Sequence, residues 1–261
     1  MDKRILQIKN EGGKALKGIK IEVEALTVSF REAAGQLYHE TLPLPPPSTI
    51  LGVAGAALGK SFEETLNFFK KNHIGVGCRG SHQGRGKDLW NYTKLKCSGK
   101  VEKDIVIREF LYGFKGELYY ICKDEEIAKL LYNAFLSPSY GLTLGNNDDL
   151  IKIKKVTWYD RVDKDVSTSL SNTWVCGDIL SEIELNWDEI KDTPIVQTIT
   201  PPLVKTLPTD YVFDNKGARQ GRVYQDFTFL GDKQKLTYSM PTYLFENTAV
   251  SCFIFSEQKD G

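Results

Sequence analysis

The sequence predicts an α+β fold with a ferredoxin-like (RRM-like) β-α-β-β-α-β core, a hairpin inserted into it and a β-rich C-terminal appendage. Three observations lead there. Alternating apolar and polar segments stand at residues 19–31, 104–123 and 150–159, with a short apolar-glycine strand at 73–80. Two stretches between them carry helical patterning, at 48–59 and 124–135, and the helix–strand order then matches that motif. After residue 160 only strand and loop patterns are visible.

Each element has its own reason. In 19–31, Ile19, Ile21, Val23 and Ala25 fall on one face and Lys20, Glu22 and Glu24 on the other. Gly35 and four prolines make 32–47 a loop. Pro47 keeps the chain extended, and Ser48 and Thr49 are suited to cap a helix over Ile50–Leu58. Its apolar residues surround the axis, so the helix is buried on most sides. Gly52, Gly55 and Gly59 weaken it by about 1 kcal/mol each relative to Ala and point to close approach of another backbone or of a ligand. Ser61 and Glu64 form a capping box for a second helix. The segment 81–87 is a glycine-rich basic loop, and 104–114 and 117–123 are two strands turning at Lys115-Gly116. The helix at 124–135 starts with acidic residues, and 137–145 is a loop. The division is a core over 1–160, with the insertion at about 78–103, and an extension over 161–261 packed on it.

Composition excludes some functions. The 261 residues carry 34 basic and 34 acidic side chains, so bulk charge does not drive nucleic-acid binding. Five scattered cysteines without a C-x-x-C pair argue against zinc and disulfides and fit a reducing cytoplasm. No stretch reads as a signal peptide or membrane span. The glycine-rich run 77–86 lacks the ending of a P-loop, no zinc-type histidine spacing occurs, and Asp148-Asp149 reads as a turn. Neither a metal nor a cofactor is expected.

Locally the charge is uneven. Residues 79–103 hold Arg79, Arg85, Lys87, Lys94, Lys96, Lys100 and Lys103 against Asp88 and Glu102. His82, Trp90 and Tyr92 interleave with them, a pattern suited to phosphates and stacked bases, or to a solvated hairpin. Tyr38-His39 is a candidate acid–base pair for metal-free RNA cleavage.

The strand end "TVSFR", the run "LPLPPPSTILGVAGAALG" and "YGLTLGNNDDLI" together resemble the CRISPR-associated Cas-five family of RAMP proteins. The resemblance covers about residues 19–160. It implies a non-catalytic subunit of a type I Cascade surveillance complex, in the style of type I-B, acting in antiviral defence. Its partners would be the crRNA 5′ handle, the Cascade backbone subunit, the large subunit and, through the complex, target DNA. The handle would lie across Ser48, Thr49 and Gly52, with Arg31, Tyr140 and Gly145 nearby. Asn146 stands where the family often has a basic residue. The insertion would be a thumb, with Arg79, His82, Arg85, Lys87, Lys94 and Lys96 on RNA and Trp90 or Tyr92 stacked or wedged. One branch of the family cuts precursor crRNA with Tyr, Lys and His. Tyr38 and His39 lie in the corresponding region, but no Lys-His pair occurs, so binding without catalysis is the favoured expectation. A ferredoxin-like enzyme of another kind would need an acid, a base and oxyanion donors that the sequence does not assemble.

Overall fold

The computed structural model describes residues 15–32, 35, 38–95, 99, 101–191, 200–215 and 217–256, with the side chains of 94 and 95 excepted. Fourteen strands and four short-to-medium α-helices are found among them. The fold is mixed and strand-rich.

The centre is a nine-stranded sheet. Strand β1 (Leu16–Val28) lies between β5 (Val101–Cys122) and β6 (Lys152–Ser167), antiparallel to both. β5 also pairs with β3 (Gly75–Ser81), which gives the central order β6-β1-β5-β3. The alternation in β1 is realised: Ile19, Ile21, Val23 and Ala25 are buried, while Lys20, Glu22 and Glu24 face the other side.

Helices α1 (Pro47–Leu58), α2 (Phe62–Lys71) and α3 (Glu125–Leu136) cover the apolar face. Ser61 and Glu64 form the capping box on α2, and Asp124 caps α3 by accepting from the Glu126 and Ile127 amides. Gly59 ends α1 in the left-handed region at φ 69°. Gly55 is where the two helices meet, since a Cβ there would stand 2.5 Å from Thr65 Oγ1. The proline segment is buried throughout 41–47. Trp174 Nε1 donates to the Leu44 carbonyl at 3.3 Å, and Tyr120 donates to the Ile50 carbonyl at 2.8 Å. The prolines thus form an extended inner wall already lacking donors that would need partners.

Several expectations are corrected. Residues 104–123 are not two strands: β5 runs unbroken for 22 residues, and Lys115 and Gly116 sit within the ladder opposite Glu24 and Val23. The ladder to β1 and β3 satisfies that backbone, so the Lys-Gly pair makes no turn. The expected loop at 81–87 is mostly strand β4 (Gly84–Leu95), paired with β5 from Gly84↔Tyr112 to Leu95↔Val101. Part of the 32–47 loop is β2 (Tyr38–His39), parallel to β5 at Ile107 and Arg108. Residue 160 falls inside β6.

The tail is not purely peripheral. β7 (Thr173–Cys176), β9 (Leu203–Phe213) and β10 (Arg219–Leu230) form a second sheet. β12 (Met240–Phe245) extends the central sheet beyond β6, and β14 (Phe253–Ile254) extends it beyond β3. The tail also holds one five-residue helix, α4 (Trp187–Lys191), which its sequence did not suggest.

Lys70 of α2 and Asp210 of β9 form a 2.5 Å ion pair, with side chains 18% and 9% exposed, that ties the second sheet to the helices. Removing one partner strands the other charge in a poorly solvated site. Asp210→Ala is expected to lower unfolding free energy in urea by about 3 kcal/mol. Asp188→Ala, which breaks an exposed pair with Lys191, is expected to change it by less than about 0.5 kcal/mol.

Candidate nucleic-acid interface

Two surfaces gather the residues singled out from the sequence. The first is a groove over α1. The residues Ser48, Gly52 and Ala56 recur every four positions and form a partly exposed stripe of α1, with Thr49 beside it. A pocket of about 210 Å³ is lined by Ser48, Thr49, Gly52, Thr143, Gly145 and Arg219, among others. It shares Gly52, Ala56, Phe62 and Thr143 with a neighbouring groove of about 450 Å³ that also includes Lys60 and Tyr140. No carboxylate lines either space.

Ser48 and Thr49 reach this groove by a route other than capping. The N-cap is Pro46, and no side chain caps the helix. Pro47 has no N–H, and the Thr49 and Ile50 amides already donate to the Pro46 carbonyl at 2.9 and 3.2 Å. The helix start therefore offers hydroxyls and the Ser48 amide, not a ring of free amides. Gly52 has no heavy atom within 4 Å of its would-be Cβ, so its small size keeps the groove open. Gly145 plays another part. It adopts φ 103°, and a Cβ would collide with the Ser29 carbonyl, so glycine is needed to seat the loop on the end of β1. Asp148-Asp149 is the expected turn. Asp149 is buried and accepts from Thr27 Oγ1 at 2.9 Å.

The second surface is the β4–β5 hairpin. Cross-strand partners share a face. One face carries Lys87/Glu109, Leu89/Ile107 and Asn91/Ile105; the other carries Asp88/Arg108, Trp90/Val106 and Tyr92/Asp104. Glu109 is buried at the base of the first face. It accepts from the Tyr38 hydroxyl and lies 3.4 Å from Arg85 and 3.8 Å from Lys87. Lys87 also sits over the Tyr38 ring, 5.1 Å from its centre. On the second face Arg108 grips Asp88 at 2.6 and 3.1 Å and lies over Trp90. His39 meets Trp90 edge-on at 6.0 Å, and Trp90 lies beside Tyr92. Burial, then the Arg31 and Arg108 charges, lower the His39 pKa. His82, half-buried at the turn before β4, is lowered too, chiefly by burial.

These placements revise the expected roles. Tyr38 and His39 are neighbours in a strand, so their side chains leave by opposite faces: Tyr38 goes to Glu109 and His39 to Trp90. Arg31 does not line the groove and donates instead to the Gly35 carbonyl at 3.0 Å. Arg79 lies in the core part of β3, where it donates to Ser171 of the tail. Arg85 and Lys87 are engaged with Glu109. Trp90 and Tyr92 share a face, as a stacking pair would require. Lys96 lies outside the described residues, as does the Lys94 side chain. The sequence reading missed Phe62, Arg108, Glu109, Tyr211 and Arg219. Of these, Arg108 and Glu109 carried a visible signal, being the two charges inside the run 105–114.

A family model described as CRISPR-associated protein (Cas_Cas5) matches residues 18–173. The chain belongs to this family. The match spans the central strands, α1 and the loop behind the groove, and it ends as β7 begins. No curated protein matches. Among solved structures, this Cas5 family member is similar to a chain of a "CRISPR RNA-guided surveillance complex", with 14% identity and a TM-score of 0.49 over 87% of this chain and 90% of that one. It is also similar to a CRISPR protein from Archaeoglobus fulgidus, with 13% identity and a TM-score of 0.49 over 90% and 98%.

The two groove glycines are expected to respond to alanine with opposite signs. Gly52→Ala lies in a helix with free space, and should raise stability by about 1 kcal/mol. Gly145→Ala should lower it by more than about 2 kcal/mol, from backbone strain and the collision with Ser29. Chemical denaturation of both variants measures the contrast.

Proposed function

We propose that this Cas5 family member is a non-catalytic RNA-binding subunit of a type I CRISPR surveillance complex, holding the 5′ handle of the crRNA in the groove over α1. The observation that carries the reading is the groove itself: small residues, the hydroxyls of Ser48, Thr49 and Thr143, and cations, with no carboxylate, in a chain of zero net charge. Hydroxyls and cations suit phosphate oxygens, and a stripe without bulky side chains lets a sugar–phosphate backbone approach closely. The central strand order with its two covering helical segments is read as the ferredoxin-like core, and the β4–β5 hairpin as its thumb. The thumb would reach toward the backbone subunit and the guide–target junction, with Trp90 and Tyr92 stacking on bases. Contacts with the large subunit and, through the complex, with target DNA belong to the same proposal. Among the described residues no helix is long and apolar enough to cross a membrane.

The alternative is a metal-independent endoribonuclease that processes precursor crRNA through Tyr38 and His39. Their opposite orientations supply no shared site for a 2′-hydroxyl and a leaving oxygen, which favours binding.

Ser48→Asp places a negative charge at the groove, and is expected to reduce the small RNA recovered when the protein is purified with its genomic neighbours. RNA recovery equal to that of the unaltered protein, with a folded variant, would remove the groove from the proposal. Incubated with repeat-containing RNA in a metal chelator, the protein is expected to leave it intact; cleavage abolished by His39→Ala would establish the alternative.

A further inference from the structure

Arg219 stands outside the span of the family match, yet it borders the groove. It begins β10, opposite Phe213, and the strand carries it to the mouth of the pocket at Ser48 and Thr49. Its guanidinium carbon lies 4.3 Å from the centre of the Phe62 ring and 5.7 Å from that of Tyr211. The two rings themselves meet edge-on at 5.1 Å. The Tyr211 hydroxyl donates to the Pro208 carbonyl at 3.3 Å, which holds its ring within β9.

The setting differs from that of four other arginines. Arg108 is held by Asp88, Arg161 by Asp163, Arg85 by Glu109 and Arg79 by Ser171. Among the described residues no carboxylate or other acceptor meets the Arg219 guanidinium. Stacking occupies the flat faces of a guanidinium and leaves its in-plane N–H edges free. A cation so held has lost much of its side-chain freedom before any ligand arrives, and Arg219 lines the pocket. The hydroxyls of Ser48, Thr49 and Thr143 line the same space.

Resting on the handle-binding reading, we infer that Arg219, stacked on Phe62 and Tyr211, clamps one backbone phosphate of single-stranded RNA in the pocket at Ser48 and Thr49. The RNA groove is then built jointly by the core helix and the tail. A phosphodiester offers two adjacent anionic oxygens that match the guanidinium fork, with further acceptors for the hydroxyls. The groove continues past Gly52 and Ala56 to Lys60 and to the exposed ring of Tyr140. A track that alternates cations with an exposed aromatic ring fits a chain alternating phosphates and bases better than it fits an acidic peptide.

The test uses the full chain freed of RNA and a 3′-fluorescein RNA of the repeat-derived handle sequence, with affinity measured by anisotropy over a series of salt concentrations. Arg219→Gln is expected to weaken binding by about tenfold and to make the slope of log affinity against log salt shallower by about 0.7, one single-strand phosphate contact. Arg219→Lys keeps the charge but not the fork, and is expected to retain the slope while losing severalfold in affinity. Unaltered affinity and slope in Arg219→Gln, with Ser48→Asp still weakening the RNA, would overturn the clamp and leave the handle site standing. Failure of the unaltered protein to bind the RNA, alone or with its genomic neighbours, would overturn both. Binding of a poly-glutamate peptide in place of RNA, lost in Arg219→Gln, would reassign the site to an acidic protein partner.

Discussion

The ladder formed by β5 is the constraint on which the rest of the structure depends. Its C-terminal half lies between β1 and β3, with Leu118, Tyr120 and Cys122 buried under the helices. Its N-terminal half leaves the core and carries β4 and β2. Gly113, at φ 62°, interrupts the alternation between the two halves, so the faces of the hairpin are decided by the pairing of β5 with β4 and β2. Trp90, Arg108 and His39 are brought together on one side, and Lys87, Glu109 and Tyr38 on the other. The separation of Tyr38 from His39, on which the choice between binding and cleavage turns, is thus a consequence of the pairing of β2 with β5.

Around that ladder, charge is distributed by a simple rule. At the hairpin base and on the open face of the sheet, cations are matched by acids: Lys20 lies 3.0 Å from Glu22 and 3.2 Å from Glu117, and Lys154 lies 3.2 Å from Glu24. On that sheet face the glutamates already occupy the cations that a phosphate would need. Over α1 the matching stops, and hydroxyls and cations stand without a carboxylate. Zero net charge overall thus coexists with a surface suited to an anion, and the location of unmatched cations is more informative than their number.

What the sequence revealed and what it concealed follow from the range of the interactions. Strand β1, helix α3 and the Ser61–Glu64 box are determined within a few residues, so alternation, periodicity and capping disclosed them. The motif over Pro43–Gly59 led to the groove, although the prolines displaced the cap from Ser48 to Pro46. The continuity of β5 was not legible, since Lys115-Gly116 reads locally as a turn and only pairing with distant Glu24 and Val23 keeps it extended. The joining of β12 and β14 to opposite edges of the central sheet leaves no local trace. Arg219 was missed for the same reason: an exposed arginine in the tail becomes notable only when the fold lays it on Phe62 and beside Ser48.

On this reading guide RNA follows the groove over α1 and avoids the charge-paired face of the sheet. Photo-crosslinking tests this most directly: 4-thiouridine is placed in the first handle nucleotides, the protein is assembled with its genomic neighbours, and the crosslinked peptides are identified by mass spectrometry. The account predicts adducts on peptides containing Phe62, Tyr140 or Tyr211. Adducts confined to the strands that carry Glu22, Glu24 and Lys115 would contradict it.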